Sequence, residues 1–104
     1  VRGMSYALRH EPNLRLDILA AVVVLAAAKL VGVRVWEWLL LLIAITFVFV
    51  VELVNTAVER LLDLLQPRLH MYARDVKDIM AGATLVAAAV ALAIGVVIFV
   101  PHLW

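Results

Sequence analysis

In the stretch VELVNTAVERLLD, residues 51–63, Glu52, Asn55, Glu59 and Asp63 are spaced three, four and four apart. A helix turning about 100° per residue gathers them into one polar stripe, roughly 80° wide and about 16 Å long. Three carboxylates on one stripe repel one another unless a positive charge sits among them. Oxygen-only ligands of this kind suit a hard cation such as Mg²⁺, which takes one or two protein carboxylates and completes its shell with water and phosphate oxygens. A second charged group follows in ARDVKDIMAG, where Arg74, Asp75, Lys77 and Asp78 lie together. Lysine and arginine there suit phosphates. The two clusters supply what phosphoryl transfer needs: a metal, cations on the phosphates, and a carboxylate to take a proton from an attacking hydroxyl. The four glycines are isolated, so there is no GxxxxGK[ST] or GxGxxG loop; side chains and metal must do most of the holding of any ATP.

The elements that position these residues belong to a membrane. The chain has 104 residues, 67% of them hydrophobic, more apolar surface than a soluble core of this size can hide. Three segments meet the need for roughly 20 mainly apolar residues per crossing: residues 14–35, 36–65 and 75–100. Ile79 to Val100 carries no charge and is expected to stop at Pro101, and the middle helix to run to Leu65 before Pro67. The first carries Arg15, Asp17, Lys29 and Arg34 in or beside it, of which Lys29 and Arg34 can snorkel to an interface. Ahead of it, Val1, Met4 and Leu8 fall at helical spacing beside Arg2 and Arg9, which predicts a short helix lying in the headgroup layer. Glu11–Pro12 reads as a helix start, with Glu11 as a cap.

Arg2, Arg9, Arg15, Arg60, Arg68, Arg74 and Lys77 share one side of this topology, against Lys29 and Arg34 on the other, which places both charged clusters at the cytoplasmic face. The polar opening, VRGMSYALRHEPN, is unlike a cleaved signal peptide. Cysteine is absent, excluding disulfides and thiolate chemistry, and His10, His70 and His102 are too scattered for a metal box. The net charge of +1 and dispersed basic residues give no reason to expect nucleic acid.

A structural reading stands beside the chemical one. Arg60, Asp63, Arg68 and Asp75 suit a solvated, salt-bridged helix end equally well. Glu52 and Asn55 lie deeper, where an ionisable residue is by default a functional hypothesis, although an interhelical hydrogen bond is the alternative.

VELVNTAVERLLDLL, the loop with His70, and ARDVKDIMAGA together resemble the signature of the prokaryotic diacylglycerol kinase family, small bacterial membrane lipid kinases. The pattern is E-x-x-N-[ST]-A-x-E, then A-x-x-x-K-D about twenty residues later. YALRHEPNLRLDILAA is similar to that family's entry into its first helix, so the resemblance spans nearly the whole chain. WEWLL, KD-x-x-AGA and IGVVIFVPHLW look most like its undecaprenol kinase branch.

The resemblance implies an all-α membrane protein of one domain, residues 1–104, with three transmembrane helices and a short N-terminal interfacial helix. It implies a homotrimer in the bacterial cytoplasmic membrane, with active sites between subunits. Glu52 then matches the base that takes the lipid hydroxyl proton, and Asn55 the asparagine beside it. Glu11 and Glu59 match the acids that hold the metal on ATP. Lys77 matches a phosphate-contacting lysine, Asp78 an acid near the adenine, and Asp63 and His70 further polar positions of the nucleotide site, where Arg74 also falls. Leu69 stands where relatives often have an aromatic residue, Arg74 where some have a small one, and Asp17 where many of the polyprenol branch have histidine. The expected activity is ATP- and Mg²⁺-dependent phosphorylation of undecaprenol, with diacylglycerol as the alternative lipid. An ion-coupled transporter using Glu52 as carrier and a non-catalytic assembly subunit are the competing classes; the basic residues around Lys77 and the second glutamate argue against the transporter.

Overall fold

The computed structural model describes residues 2–65 and 70–103, with the side chains of residues 7, 8 and 70 outside the description. The described residues are helical apart from short connections, with no strand among them: α1 (Arg2–His10), α2 (Pro12–Val31), α3 (Val35–Leu65) and α4 (His70–Leu103).

Local sequence explains most boundaries. Arg9 and His10 fall in the last turn of α1, where cations favour the negative end of the helix dipole. Pro12 opens α2, where its missing N–H costs nothing, and Glu11 precedes it in extended conformation with no side-chain capping bond. The Glu11 side chain is thus left for another partner. At the other end of α2, Gly32 takes the left-handed conformation, φ 81° and ψ 48°, and donates its N–H to Ala28 O at 2.9 Å. Val33 N–H also donates to Ala28 O, at 3.2 Å, so two amides close the helix over a glycine that adopts this conformation without strain. The turn 32–34 therefore separates α2 from α3, where sequence spacing alone carries the first span to Val35.

Arg34 caps α3: its carbonyl accepts from Trp38 N at 3.0 Å, and its N–H donates to Glu37 Oε1 at 2.8 Å. That second bond is the backward half of a capping box. The same Glu37 oxygen lies 2.9 Å from His102 Nε2, so one acid caps α3 and ties its start to the end of α4. Glu37 is only 6% exposed. At that end Ala28, Val33, Leu41 and Ile98 form the buried core, with Val24, Trp38, Ile94 and Phe99 packed against it.

Two expected boundaries shift. Helix α4 begins at His70 rather than 75, and it runs past Pro101 to Leu103. A proline in the last turn removes one i to i−4 bond there, and its fixed φ is already helical, so the chain finishes its turn.

The pairs Lys77–Asp63 and His102–Glu37 lie 26 residues apart on α3 (37 to 63) and 25 on α4 (77 to 102), so the two helices run antiparallel in step. Glu11–Arg60 at one end and the Ala28–Leu41 core at the other set α2 antiparallel to α3.

Helices α3 and α4 are long and apolar enough to cross a membrane. Helix α2 has 20 residues, but every 18-residue stretch of it contains Arg15, Asp17 and Lys29. Large side chains such as Leu39, Ile43, Phe47, Leu85, Leu92 and Val97 stay exposed along α3 and α4. Water does not tolerate so broad an apolar face. The chain is a membrane protein.

Candidate functional site

The stripe read from spacing grades in depth as it climbs α3. Glu52 and Asn55 are half-buried, whereas Glu59 and Asp63 are exposed. One oxygen of each deep residue, Glu52 Oε2 and Asn55 Oδ1, is buried with no hydrogen-bond partner among the described residues. The cause lies in the opposite helix. Counting from the His102–Glu37 pair, the level of Glu52 on α4 falls at Ala87, 1% exposed, whose methyl group offers nothing polar. The same count sets Thr84 level with Asn55, its hydroxyl already donated to Met80 O at 2.9 Å, so a carboxylate and an amide oxygen stay unpaired where pairing is normally obligatory, an arrangement that a ligand donor or a cation would complete.

A third such atom belongs to α2. Asp17 Oδ2 is also buried and unpartnered, and the two α2–α3 contacts place Asp17 at about the level of Glu52. Asp17 is the sole charged residue lining a groove of about 780 Å³ between α2, α3 and α4. The rest of its wall is apolar, including Ala21, Leu25, Ile45, Phe49, Leu92 and Phe99. A long apolar cleft with one acid, Asp17, at its end has the shape and polarity of a site for a lipid bearing a polar head.

Beyond the deep trio, the polar end is crossed by two ion pairs. Arg60 Nη2 donates to Glu11 Oε1 at 3.0 Å, and Lys77 Nζ to Asp63 Oδ1 at 3.2 Å. The first joins the α1–α2 junction to α3; the second joins α4 to α3. Glu11 is thereby brought to the turn of α3 that carries Glu59. The Arg60 guanidinium also lies 5.6 Å from the centre of the Tyr6 ring, which stacks on His10 at 4.2 Å. Helix α1 is held to the end of α3 by this contact.

The two clusters expected from spacing thus share one end of the bundle. Asp78, Arg74 and Asp75 are exposed near the start of α4 and form no ion pair among the described residues. His70 begins α4, but its side chain, like Arg68, lies outside the described residues. No group of three or more His, Asp or Glu side chains is gathered as a metal site among the described residues. A magnesium ion needs fewer. Glu11 keeps Oε2 free of its bond to Arg60, and Glu59 is exposed and unpaired among the described residues. These all-oxygen donors fit a hard cation that keeps part of its water shell.

Sequence reasoning missed three things. It weighed Arg60 as part of a solvated, salt-bridged helix end but named no partner on another helix, where the structure pairs it with Glu11 across 49 residues. Asp17 appeared as a charge in the first span and as a departure from the polyprenol branch's histidine, with no place in the site, and Glu37 only within WEWLL. Asp17 had one usable signal, since a lone acid beside an uncharged run from Ile18 to Ala28 is costly unless used.

All-helical architecture, two long apolar helices and an oxygen-rich polar end define a small membrane protein with a charged site at one end of its bundle. The sequence profile of prokaryotic diacylglycerol kinase matches residues 1–99, and the chain belongs to that family of lipid kinases. It is 37% identical over 102 residues to the undecaprenol kinase of Bacillus subtilis, covering 98% of this chain and 83% of that one. It is 34% identical over 102 residues to the diacylglycerol kinase of Synechocystis, covering 97% of this chain and 58% of that longer protein. The protein is a phosphotransferase that acts on a lipid alcohol.

Proposed function

We propose that the chain phosphorylates the hydroxyl of undecaprenol with ATP and Mg²⁺ at the cytoplasmic face of the bacterial inner membrane. The observation that carries this reading is the unpaired Glu52 Oε2 beside the unpaired Asn55 Oδ1. They lie between an apolar groove on one side and the charged pairs of Arg60 and Lys77 on the other. The isoprenoid chain lies in the groove and its hydroxyl reaches Glu52.

The step follows from these groups. Glu52 accepts the hydroxyl proton as the oxygen attacks the γ-phosphorus; the new O–P bond forms while the bond to the bridging oxygen of ADP breaks, and ADP carries away that electron pair. Asn55 holds the hydroxyl or the nucleotide oxygens near it. Lys77 neutralises the phosphates, with Arg74 beside it; Asp63, Asp78 and His70 border the nucleotide. Glu11 and Glu59 would hold magnesium, whose charge offsets that on the transferred phosphoryl group.

In this reading residues 1–104 form one domain, α2, α3 and α4 are the three spans, and α1 lies in the headgroup layer with Arg2 and Arg9 toward lipid phosphates. Three subunits form a closed homotrimer with active sites between them, which covers part of the apolar surface that one bundle leaves open. The lysine and arginine bias toward the end with Arg60 and Lys77 supports its cytoplasmic placement.

The test is phosphoryl transfer from γ-labelled ATP in mixed micelles, offering undecaprenol and diacylglycerol separately, with and without Mg²⁺. Magnesium-dependent label on undecaprenol is expected. Label on diacylglycerol alone would move the protein to the other acceptor, and label on neither would overturn the proposal.

A further inference from the structure

The two ion pairs at the polar end use the same side chains that a metal–nucleotide complex would require. Lys77 is bound to Asp63, and Arg60 to Glu11. Both pairs are partly solvated, with Arg60 48% and Glu11 26% exposed, and ion pairs so open to water are weak and readily exchanged. Arg60 follows Glu59 directly and sits one turn before Asp63, so it flanks the acidic stripe, about 60° round the helix from Asp63. Its planar fork matches phosphate oxygens in a way that lysine does not.

We propose that Arg60 is a further nucleotide-contacting residue, one that exchanges partners: its guanidinium leaves Glu11 for the phosphates of a nucleoside triphosphate as Glu11 turns to the metal ion those phosphates carry. The inference rests on the kinase reading and adds to it a role for Arg60. In the exchange Glu11 loses a cationic side chain and gains the metal, and the freed guanidinium gains phosphate. The guanidinium that leaves Glu11 also leaves Tyr6, 5.6 Å away, so nucleotide binding loosens α1 from the end of α3. A purely structural Arg60–Glu11 clamp makes the opposite prediction about ligand affinity, because breaking it does nothing specific to the nucleotide.

The experiment uses Mn²⁺ as a paramagnetic probe on the full-length protein in detergent, with and without the β,γ-imido analogue of ATP, comparing wild type, Arg60→Ala and Arg60→Lys. Arg60→Ala is expected to weaken binding of the Mn²⁺–analogue complex by about three- to tenfold, the scale of one partly solvated charged contact. Mn²⁺ alone binds at least as tightly as in wild type, since a competing cation has left Glu11. Arg60→Lys recovers only part of the loss, since it restores the charge without the planar fork. Unchanged affinity for the complex in Arg60→Ala would overturn the proposal, as would equal weakening of both forms. A nitroxide at Met4→Cys, unique because the chain has no cysteine, reports α1 directly: it gains mobility when the analogue binds to wild type, and a label that stays equally ordered would also overturn the exchange. Wild type that binds the complex yet phosphorylates no lipid removes the proposed reaction and leaves the exchange standing; wild type that binds no complex removes both.

Discussion

Replacing Gly32 with alanine tests whether the α2–α3 turn sets the register on which the whole site depends. Gly32 has φ 81° and ψ 48°, and a Cβ built on it meets no atom within 4 Å. The cost is therefore conformational and not steric. A left-handed alanine costs about 1–2 kcal/mol, offset by about 0.4–1 kcal/mol because the unfolded chain also loses freedom. The net destabilisation is ~1 kcal/mol, or about fivefold in the folding equilibrium. Gly32→Asn costs less, since asparagine tolerates this region; Gly32→Val costs more, since a β-branched residue does not. Reversible unfolding by sodium dodecyl sulfate in mixed micelles, followed by the fluorescence of Trp36 and Trp38 beside the turn, measures the series. The order Gly, Asn, Ala, Val is expected. A neutral or stabilising Gly32→Ala, or asparagine as costly as valine, would refute the reasoning.

Two further perturbations address the end remote from the chemistry. Ile98, 1% exposed in the core with Leu41 and Ala28, loses about 2–5 kcal/mol on change to alanine and about 0.5–1.5 kcal/mol on change to valine; the same unfolding assay should separate the two, and equal losses would show that this core is not tightly packed. His102→Leu removes one of the two partners of Glu37 Oε1 and leaves Arg34 N–H as the other. It should lower the unfolding midpoint while leaving lipid phosphorylation per folded molecule unchanged, and a fall in turnover of folded protein would mean that the clamp reaches the site.

The parts of this molecule legible in sequence are those that repeat at short range. The stripe of Glu52, Asn55, Glu59 and Asp63 follows from helical period alone, and the structure keeps its gradient from half-buried to exposed. The two strongest spans follow from length and hydropathy. What composition and period do not encode is which side chains meet across the bundle. Glu11–Arg60 and Glu37–His102 join residues 49 and 65 apart, and neither pairing is implied by a local pattern. Pro101 shows the converse failure, in which a reliable local rule ended α4 too early because a helix tolerates proline in its last turn. The unpartnered oxygens of Glu52 and Asn55 depend on α4 bringing Ala87 level with the first and Thr84, its hydroxyl already given to Met80 O, level with the second, a matter of helix register that only the folded chain discloses.

The central claim is that Glu52 is the base of a lipid kinase and that its unpaired oxygen receives the acceptor's hydroxyl. The direct measurement compares single-turnover phosphoryl transfer to undecaprenol by wild type, Glu52→Gln and Glu52→Asp, with binding of the Mn²⁺–imido-ATP complex measured on the same preparations. The account predicts a loss of about 10²–10⁴-fold in rate for Glu52→Gln, a partial recovery for Glu52→Asp, and nucleotide binding close to wild type in both. Wild-type turnover in a folded Glu52→Gln protein would contradict it.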